Sequence, residues 1–335
     1  MSSNIALVGG GTAGHIMPNF ALLPELRKRF DRIVYIGSPS SMEERLCKER
    51  NLPFYPTETM KFYRKNFLKN FALPFVLSRG IKEAKRILRE ECVSIVFSKG
   101  GYAAIPTVLA ARKLRIPVVC HESDRSMGLA NKLTARHAAA VFTAFSGTYK
   151  GAKVIQTPIR ESIFHGKALR VFRDENKPTL LFMGGSLGAK AINDALSENF
   201  AELSDKYNVL HLTGKEGIPL HSPSYFALPF TDSIEDFFAT ADLVISRAGA
   251  ATLGELTALG KRVLAVPLPK GESRGDQEEN AAYYLAQGAV SVLPQDRLRE
   301  LPEVVKDIIL RRPPAPAYDR NTPRIIAEEL LKLKA

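Results

Sequence analysis

The chain has 335 residues, 45% of them hydrophobic and 24% charged, which excludes a largely disordered polypeptide and suits about two domains at roughly 150 residues each. Its formal net charge of +12 is unevenly spread: residues 1–157 hold 25 Lys and Arg against 11 Asp and Glu, and residues 158–335 hold 22 against 24. The excess belongs to the first half and points to an anionic partner there, whether nucleic acid, an acidic lipid surface or a polyanionic substrate.

No apolar stretch approaches the roughly 18–20 residues of a membrane-spanning helix, and MSSNIALVGG lacks the pattern of a secretory leader. Cys47, Cys92 and Cys120 are too few and too scattered for a disulfide framework or a zinc cluster, so reduced thiols are expected.

In chain order, short apolar runs alternate with longer helical patterns. The strand candidates are 4–8, 32–36, 93–97, 117–121 and 139–143, then 179–183, 208–212, 226–230, 242–246 and 262–266. Apolar strands separated by helices imply parallel sheets covered on both faces. The expected fold is α/β, doubly wound, in two copies: residues 1–157 and 158–321, with the amphipathic segment 322–334 packing back on the first. Ligands of such folds bind at the carboxyl ends of the strands, so a cleft between the units is the expected site.

The first strand runs into Gly9-Gly10-Gly11-Thr12-Ala13-Gly14-His15, a G-x-G-x-x-G turn that suits a phosphate at a helix start. A dinucleotide fingerprint would carry an acid at the end of the next strand. That strand ends in Gly37-Ser38-Pro39, and Asp31 precedes it, which disfavours a dehydrogenase. His15, just inside the helix, is a candidate for proton transfer or phosphate contact. Ser98-Lys99-Gly100-Gly101-Tyr102, then His121-Glu122-Ser123-Asp124 leading into Gly128-Leu129-Ala130-Asn131-Lys132, follow later strands and should converge on the same edge. In the second half Gly184-Gly185-Ser186-Leu187-Gly188 repeats the glycine turn, the segment Ser246–Glu255 offers amides for a diphosphate and a carboxylate for ribose, and Gly275–Ala281 carries short polar groups suited to sugar hydroxyls.

GGGTAGHIMP, SKGGY, HESD with GLANK, TPIR, GGSLGA, SRAGAATLGEL and GDQEENA occur in the order seen in the bacterial peptidoglycan N-acetylglucosaminyltransferase family, which this chain resembles from about residue 4 to residue 290. The resemblance implies a GT-B glycosyltransferase of two Rossmann-like domains facing a cleft. It would invert configuration while moving GlcNAc from UDP-GlcNAc to an undecaprenyl-diphosphate-linked muramoyl-pentapeptide (lipid I to lipid II) at the cytoplasmic face of the plasma membrane. It implies His15 as the base or an acceptor-phosphate contact and Asn131 as a cleft residue near the transferred sugar; Glu122 is a further catalytic candidate, and the base stays open among His15, Glu122 and Asp124. Donor and sugar contacts would be Thr12, Ala13, Gly14, Asp124, Arg160, Ser186, Thr231, Gly249, Ala250, Thr252, Leu253, Gly254, Glu255 and Gln277. Gly11, Lys99, Gly100, Gly101 and Tyr102 would meet the acceptor diphosphate. Ala13 stands where the family usually has glycine, and Asp124 where many members have asparagine. The sequence has no Asp-x-Asp, so no metal or other cofactor is expected, and amide dipoles with Arg160 would stabilise the departing UDP.

Residues 61–89 hold nine Lys and Arg against one acid, Glu83, interleaved with aromatic side chains. Phe67, Phe71 and Phe75 form the expected face for an anionic membrane, bound peripherally. Two alternatives remain: a glycosyltransferase of the same fold acting on diacylglycerol, or a non-enzymatic basic anion-binding module. No nucleic-acid-binding motif is present.

Overall fold

A computed structural model describes residues 3–60, 71–185, 188–215, 217 and 219–334. The chain divides into two compact units, Met1–Arg160 with Asp319–Ala335, and Glu161–Tyr318.

The first unit runs β1 (Asn4–Val8), α1 (Ala13–Leu26), β2 (Arg32–Gly37), α2 (Met42–Glu49), β3 (Phe54–Pro56), α3 (Leu73–Glu90), β4 (Val93–Ser98), α4 (Ile105–Lys113), β5 (Val118–Glu122), α5 (Leu129–Ala135), β6 (Ala140–Thr143) and β7 (Lys153–Val154). Its strands are parallel in the order β3-β2-β1-β4-β5-β6-β7. Successive side chains of a strand face opposite ways, and the two faces have separate cores. Ile5, Leu7, Tyr35 and Phe97 belong to the core that includes Ile16, Phe20 and Leu23 of α1. Ala6, Val8, Ile36 and Val96 belong to the other, with Ala84, Ile87 and Leu88 of α3 and Val108 of α4. Burial on both faces is why these strands read as unbroken apolar runs.

The second unit runs β8 (Thr179–Met183), α6 (Lys190–Glu198), α7 (Phe200–Lys206), β9 (Asn208–Leu212), β10 (Tyr225–Leu228), α8 (Ile234–Thr240), β11 (Leu243–Ser246), α9 (Ala250–Ala258), β12 (Arg262–Ala265), α10 (Asp276–Ala286), β13 (Ser291–Val292) and α11 (Leu301–Ile309). Its parallel order is β10-β9-β8-β11-β12-β13. The chain then re-enters the first unit, where α12 (Thr322–Leu333) buries Ile326, Ala327 and Leu330 in the core shared with α1.

Both sheets reverse direction beside their first strand, between β1 and β4 and between β8 and β11. In doubly wound sheets ligands bind over the strand ends at that switch point. The glycine turns Gly9–Gly11 and Ser98–Tyr102 flank one switch; Gly184, Gly185 and Gly188, with Ser246–Gly249, flank the other. The short strands β3, β7 and β13 are additions to the ten apolar runs, and the run at 226–230 forms a strand from Tyr225 to Leu228. Pro229 offers no ladder N–H, and the last bond between the β9 and β10 segments is Gly214 N–H to its carbonyl (3.0 Å).

Candidate active site

In the first unit the two switch-point turns pack backbone against backbone. Gly101 has φ 79°, and a Cβ there would strike the carbonyl oxygen of Gly10. Gly11, at φ 89°, would place a Cβ 2.7 Å from Cε1 of Tyr102, so the ring of Tyr102 lies against the first turn. Below the turn, Tyr35 Oη donates to Gly9 O (2.6 Å) and Asn19 Nδ2 donates to Tyr35 Oη (3.1 Å). Glu43, reaching in from α2, covers the other side: its Oε1 sits where a Cβ of Gly10 would be and accepts Ser38 N–H. An acid thus does come to the end of β2, but the residue is 1% exposed and packs on the turn. Its position inside α2, one residue before the capping Glu44, is why strand-end spacing did not disclose it.

Helix α1 begins above these turns with no acidic residue in its first turn, leaving the positive end of its dipole uncompensated for an anion. Thr12 occupies its N-cap without a side-chain cap bond; its Oγ1 lies 3.0 Å from Nδ1 of His15 instead. Thr12 is exposed, and Ala13, Gly14 and His15 are half-buried, so His15 is held at the mouth of the turn.

The third predicted loop closes around Glu122. One carboxylate oxygen accepts the N–H groups of Ser123 (2.9 Å) and Asp124 (3.1 Å), the other those of Gly128 (2.8 Å) and Asn131 Nδ2 (3.0 Å). Four donors on a carboxylate 4% exposed make Glu122 the group that organises residues 122–131. Asn131, also buried, donates to His121 O (3.3 Å) and stands against Gly100. Its Oδ1 has no hydrogen-bond partner among the described residues. Lys99 is turned inward. Its side chain is 1% exposed and its ammonium bonds to His121 and Ser123, so it does not offer that group to an acceptor phosphate at the surface. Burial lowers it to about 7.

In the second unit, Gly184 packs against Gly188, which turns at φ 84° beside Thr213 O. Helix α9 begins at Gly249, and neither α6 nor α9 has an acid in its first turn. Gly249 has an ordinary φ of −69°, and a Cβ there would meet no atom within 4 Å. Neither strain nor crowding requires glycine at that position; it leaves the start of α9 open to close approach. Arg247, which sequence reasoning passed over, anchors the adjoining turn by donating from Nη1 to Val266 O (3.2 Å). Its partial burial lowers its pKa. Gln277, at the start of α10, accepts Leu268 N–H through Oε1 (3.0 Å). Asn280 Nδ2 donates to Ala248 O (3.3 Å). These bonds tie the segments after β11 and β12 to each other and to α10.

Comparison with known proteins decides which family these two units belong to. Residues 5–143 match the glycosyltransferase family 28 N-terminal domain and residues 179–329 its C-terminal domain. A Clostridium botulinum protein named UDP-N-acetylglucosamine–N-acetylmuramyl-(pentapeptide) pyrophosphoryl-undecaprenol N-acetylglucosamine transferase is 39% identical over 309 residues, 88% of this chain and 87% of the relative. Its namesake from Clostridium tetani is 40% identical over 312 residues, 89% and 87% of the two chains. This chain belongs to that transferase family. The crystal structure of Acinetobacter baumannii MurG matches at 27% identity and a TM-score of 0.76, covering 98% of this chain and 99% of that one. A Neisseria meningitidis UDP-GlcNAc 2-epimerase, at 16% identity and a TM-score of 0.66, shares the fold.

Within this transferase fold the remaining expected residues fall as follows. Ala250, Thr252, Leu253, Gly254 and Glu255 lie in α9, with Leu253 fully buried as packing. Thr231 Oγ1 accepts Ser233 N–H (3.1 Å) before α8. Arg160 is the last residue of the first unit before the crossing. Ser186 and Phe67 lie outside the described residues. Phe71 and Phe75 are 76% and 73% exposed. From Phe75, the exposed residues Arg79, Lys82, Arg86 and Arg89 follow at helical spacing along one face of α3.

Proposed function

We propose that the chain is the inverting transferase that moves GlcNAc from UDP-GlcNAc to undecaprenyl-diphosphate-linked muramoyl-pentapeptide, the step from lipid I to lipid II. The observation carrying this reading is the family relationship over nearly the whole chain, combined with a switch-point pair of glycine turns in each unit. The second unit holds the donor: Gly249 and the start of α9 take the diphosphate, Glu255 the ribose and Gln277 the sugar hydroxyls. The first unit holds the acceptor diphosphate on the backbone of Gly11, Gly100 and Gly101. His15 accepts the proton of the attacking hydroxyl as the bond to UDP breaks, and the amides of α9 stabilise the departing diphosphate. Asn131, buried against Gly100 with its amide nitrogen on Glu122, holds the 122–131 loop beside the acceptor turn on the sugar side.

The bound lipid requires attachment to a bilayer. Among the described residues no helix is long and apolar enough to cross one. Phe71 and Phe75 enter the headgroup region, and the basic stripe of α3 meets anionic lipid at about 1 kcal/mol per cation. This is peripheral attachment at the cytoplasmic face. Assays of UDP release with lipid-linked muramoyl-pentapeptide and with diacylglycerol test the proposal. Turnover with the first alone is expected; preference for diacylglycerol overturns it.

A further inference from the structure

The geometry of Lys99 assigns it a task that an acceptor contact does not describe. We infer that Lys99 is a positioning residue: acting through His121 and Ser123, it ties the acceptor-side glycine turns to the 121–131 loop and to the segment 155–157 that leads out of the first unit. The inference rests on the proposed function for the identity of the acceptor.

Lys99 lies at the join of all three predicted loops. Its N–H donates to Val8 O (2.9 Å), and its Cβ lies 3.1 Å from where a Cβ of Gly9 would be. The Nζ atom donates to His121 Nδ1 (2.7 Å) and Ser123 Oγ (2.6 Å). The direction of the first bond follows from the rest of the ring. His121 Nε2 lies 3.2 Å from both Ile155 O and Gln156 O, which can only accept, so Nε2 carries the proton and Nδ1 accepts. Burial and the neighbouring ammonium hold this fully buried imidazole neutral, well below its ordinary pKa. Thr157 Oγ1 donates to Ser123 Oγ (2.9 Å), and Gln156 Oε1 accepts Asp319 N–H (2.9 Å). Both passages of the chain, outward after residue 157 and inward at residue 319, are therefore fixed to one polar cluster.

A buried amine costs stability unless its donors are used, and a methionine of similar length would fill the same volume. What methionine cannot do is hold His121 in one tautomer and Ser123 in one rotamer. The charged groups acting on the amine are Glu122 and Asp124, both favouring the ammonium, with desolvation opposing them. His121 is the other titratable contact. The neutral amine would keep two N–H donors, enough for His121 and Ser123, so what deprotonation removes is the positive charge beneath the turns proposed to hold the acceptor diphosphate.

The test uses the full chain with Lys99→Met and Ser123→Ala. Steady-state parameters are measured for the lipid-linked acceptor and for UDP-GlcNAc between pH 6 and 9, alongside calorimetric binding of UDP-GlcNAc. In Lys99→Met, kcat/KM for the acceptor is expected to fall at least tenfold, with UDP-GlcNAc affinity within twofold of the parent. The decline of the parent's acceptor kcat/KM as pH rises through the amine's titration should vanish from that variant. Ser123→Ala, which keeps the lysine, should lose in the same direction by a smaller factor, and it decides the matter if Lys99→Met lacks a cooperative unfolding transition. An unchanged acceptor kcat/KM and pH profile overturns the inference, as does an equal loss in donor and acceptor parameters. A parent protein that binds no UDP-GlcNAc refutes the proposed function, which is a separate result.

Discussion

Gly249→Ser sets fold and function against each other. Gly249 is the N-cap of α9 with φ −69° and ψ 135°, angles open to any residue, and no atom lies within 4 Å of a Cβ built there. Serine at an N-cap is better than glycine by a few tenths of a kcal/mol because its hydroxyl accepts an N–H of the first turn. Losing glycine's freedom in the unfolded chain adds about 0.4–1 kcal/mol. The variant should therefore be about 1 kcal/mol more stable, raising the melting temperature of the second unit by roughly 2–4 °C. The same CH2OH group would occupy the space left for the donor diphosphate, and UDP-GlcNAc binding should weaken at least tenfold, which is about 1.4 kcal/mol or more. Scanning calorimetry without ligand and titration calorimetry with UDP-GlcNAc read the two effects. A stabilised variant that binds UDP-GlcNAc as the parent does would refute the assignment of α9 to the diphosphate.

Three further changes probe other parts of the account. Glu122→Gln places an amide nitrogen among four N–H donors, leaving at least one of them opposed; about 1–3 kcal/mol of stability should be lost, measurable by urea unfolding, and an unchanged midpoint would remove Glu122 from its organising role. In the second unit, His211 accepts from Tyr225 Oη at Nδ1 (2.9 Å) and donates from Nε2 to Asn193 Oδ1 (3.0 Å), and burial lowers it to about 4. Since the unfolded imidazole takes its proton at about 6.5, stability contributed by this site is complete above that pH and falls between 6.5 and 4. The loss reaches up to about 3 kcal/mol, and a His211→Gln variant should show a flatter acid limb in its unfolding midpoint. Phe71→Ser with Phe75→Ser should release the folded protein from vesicles of anionic lipid at physiological salt, and sedimentation with the vesicles at parental levels would dismiss that face.

The doubly wound fold was legible because parallel strands buried on both faces leave unbroken apolar runs, and the structure has strands at all ten. Three of the four edge strands escaped notice for a physical reason: β3 has three residues and β7 and β13 two each, too few to carry a readable periodicity. Chain order also brought three loops to one edge, since strand ends of a parallel sheet lie on the same side. Side-chain direction was not legible. Lys99 follows a strand and precedes two glycines, as a phosphate-binding lysine does, yet its stem passes under the first turn and its amine ends on His121. Glu122 stood in a polar HESD segment with the look of a base, but the return of Gly128 and Asn131 onto its carboxylate depends on the path of the loop. Glu43 and Arg247 were missed because each acts on a turn distant in sequence from itself. Gly249 could be noted as part of a glycine-containing turn, while only its geometry shows that the fold does not need glycine there.

The central claim is sugar transfer from a uridine nucleotide, with the diphosphate held by helix starts and no Asp-x-Asp in the chain. It is tested most directly by incubating chelator-treated protein with radiolabelled UDP-GlcNAc and lipid-linked muramoyl-pentapeptide in bilayers, then resolving the lipid product. A labelled β-linked disaccharide lipid formed without added divalent ion is the predicted result. Absence of transfer, or transfer that waits for a restored metal, would contradict the account.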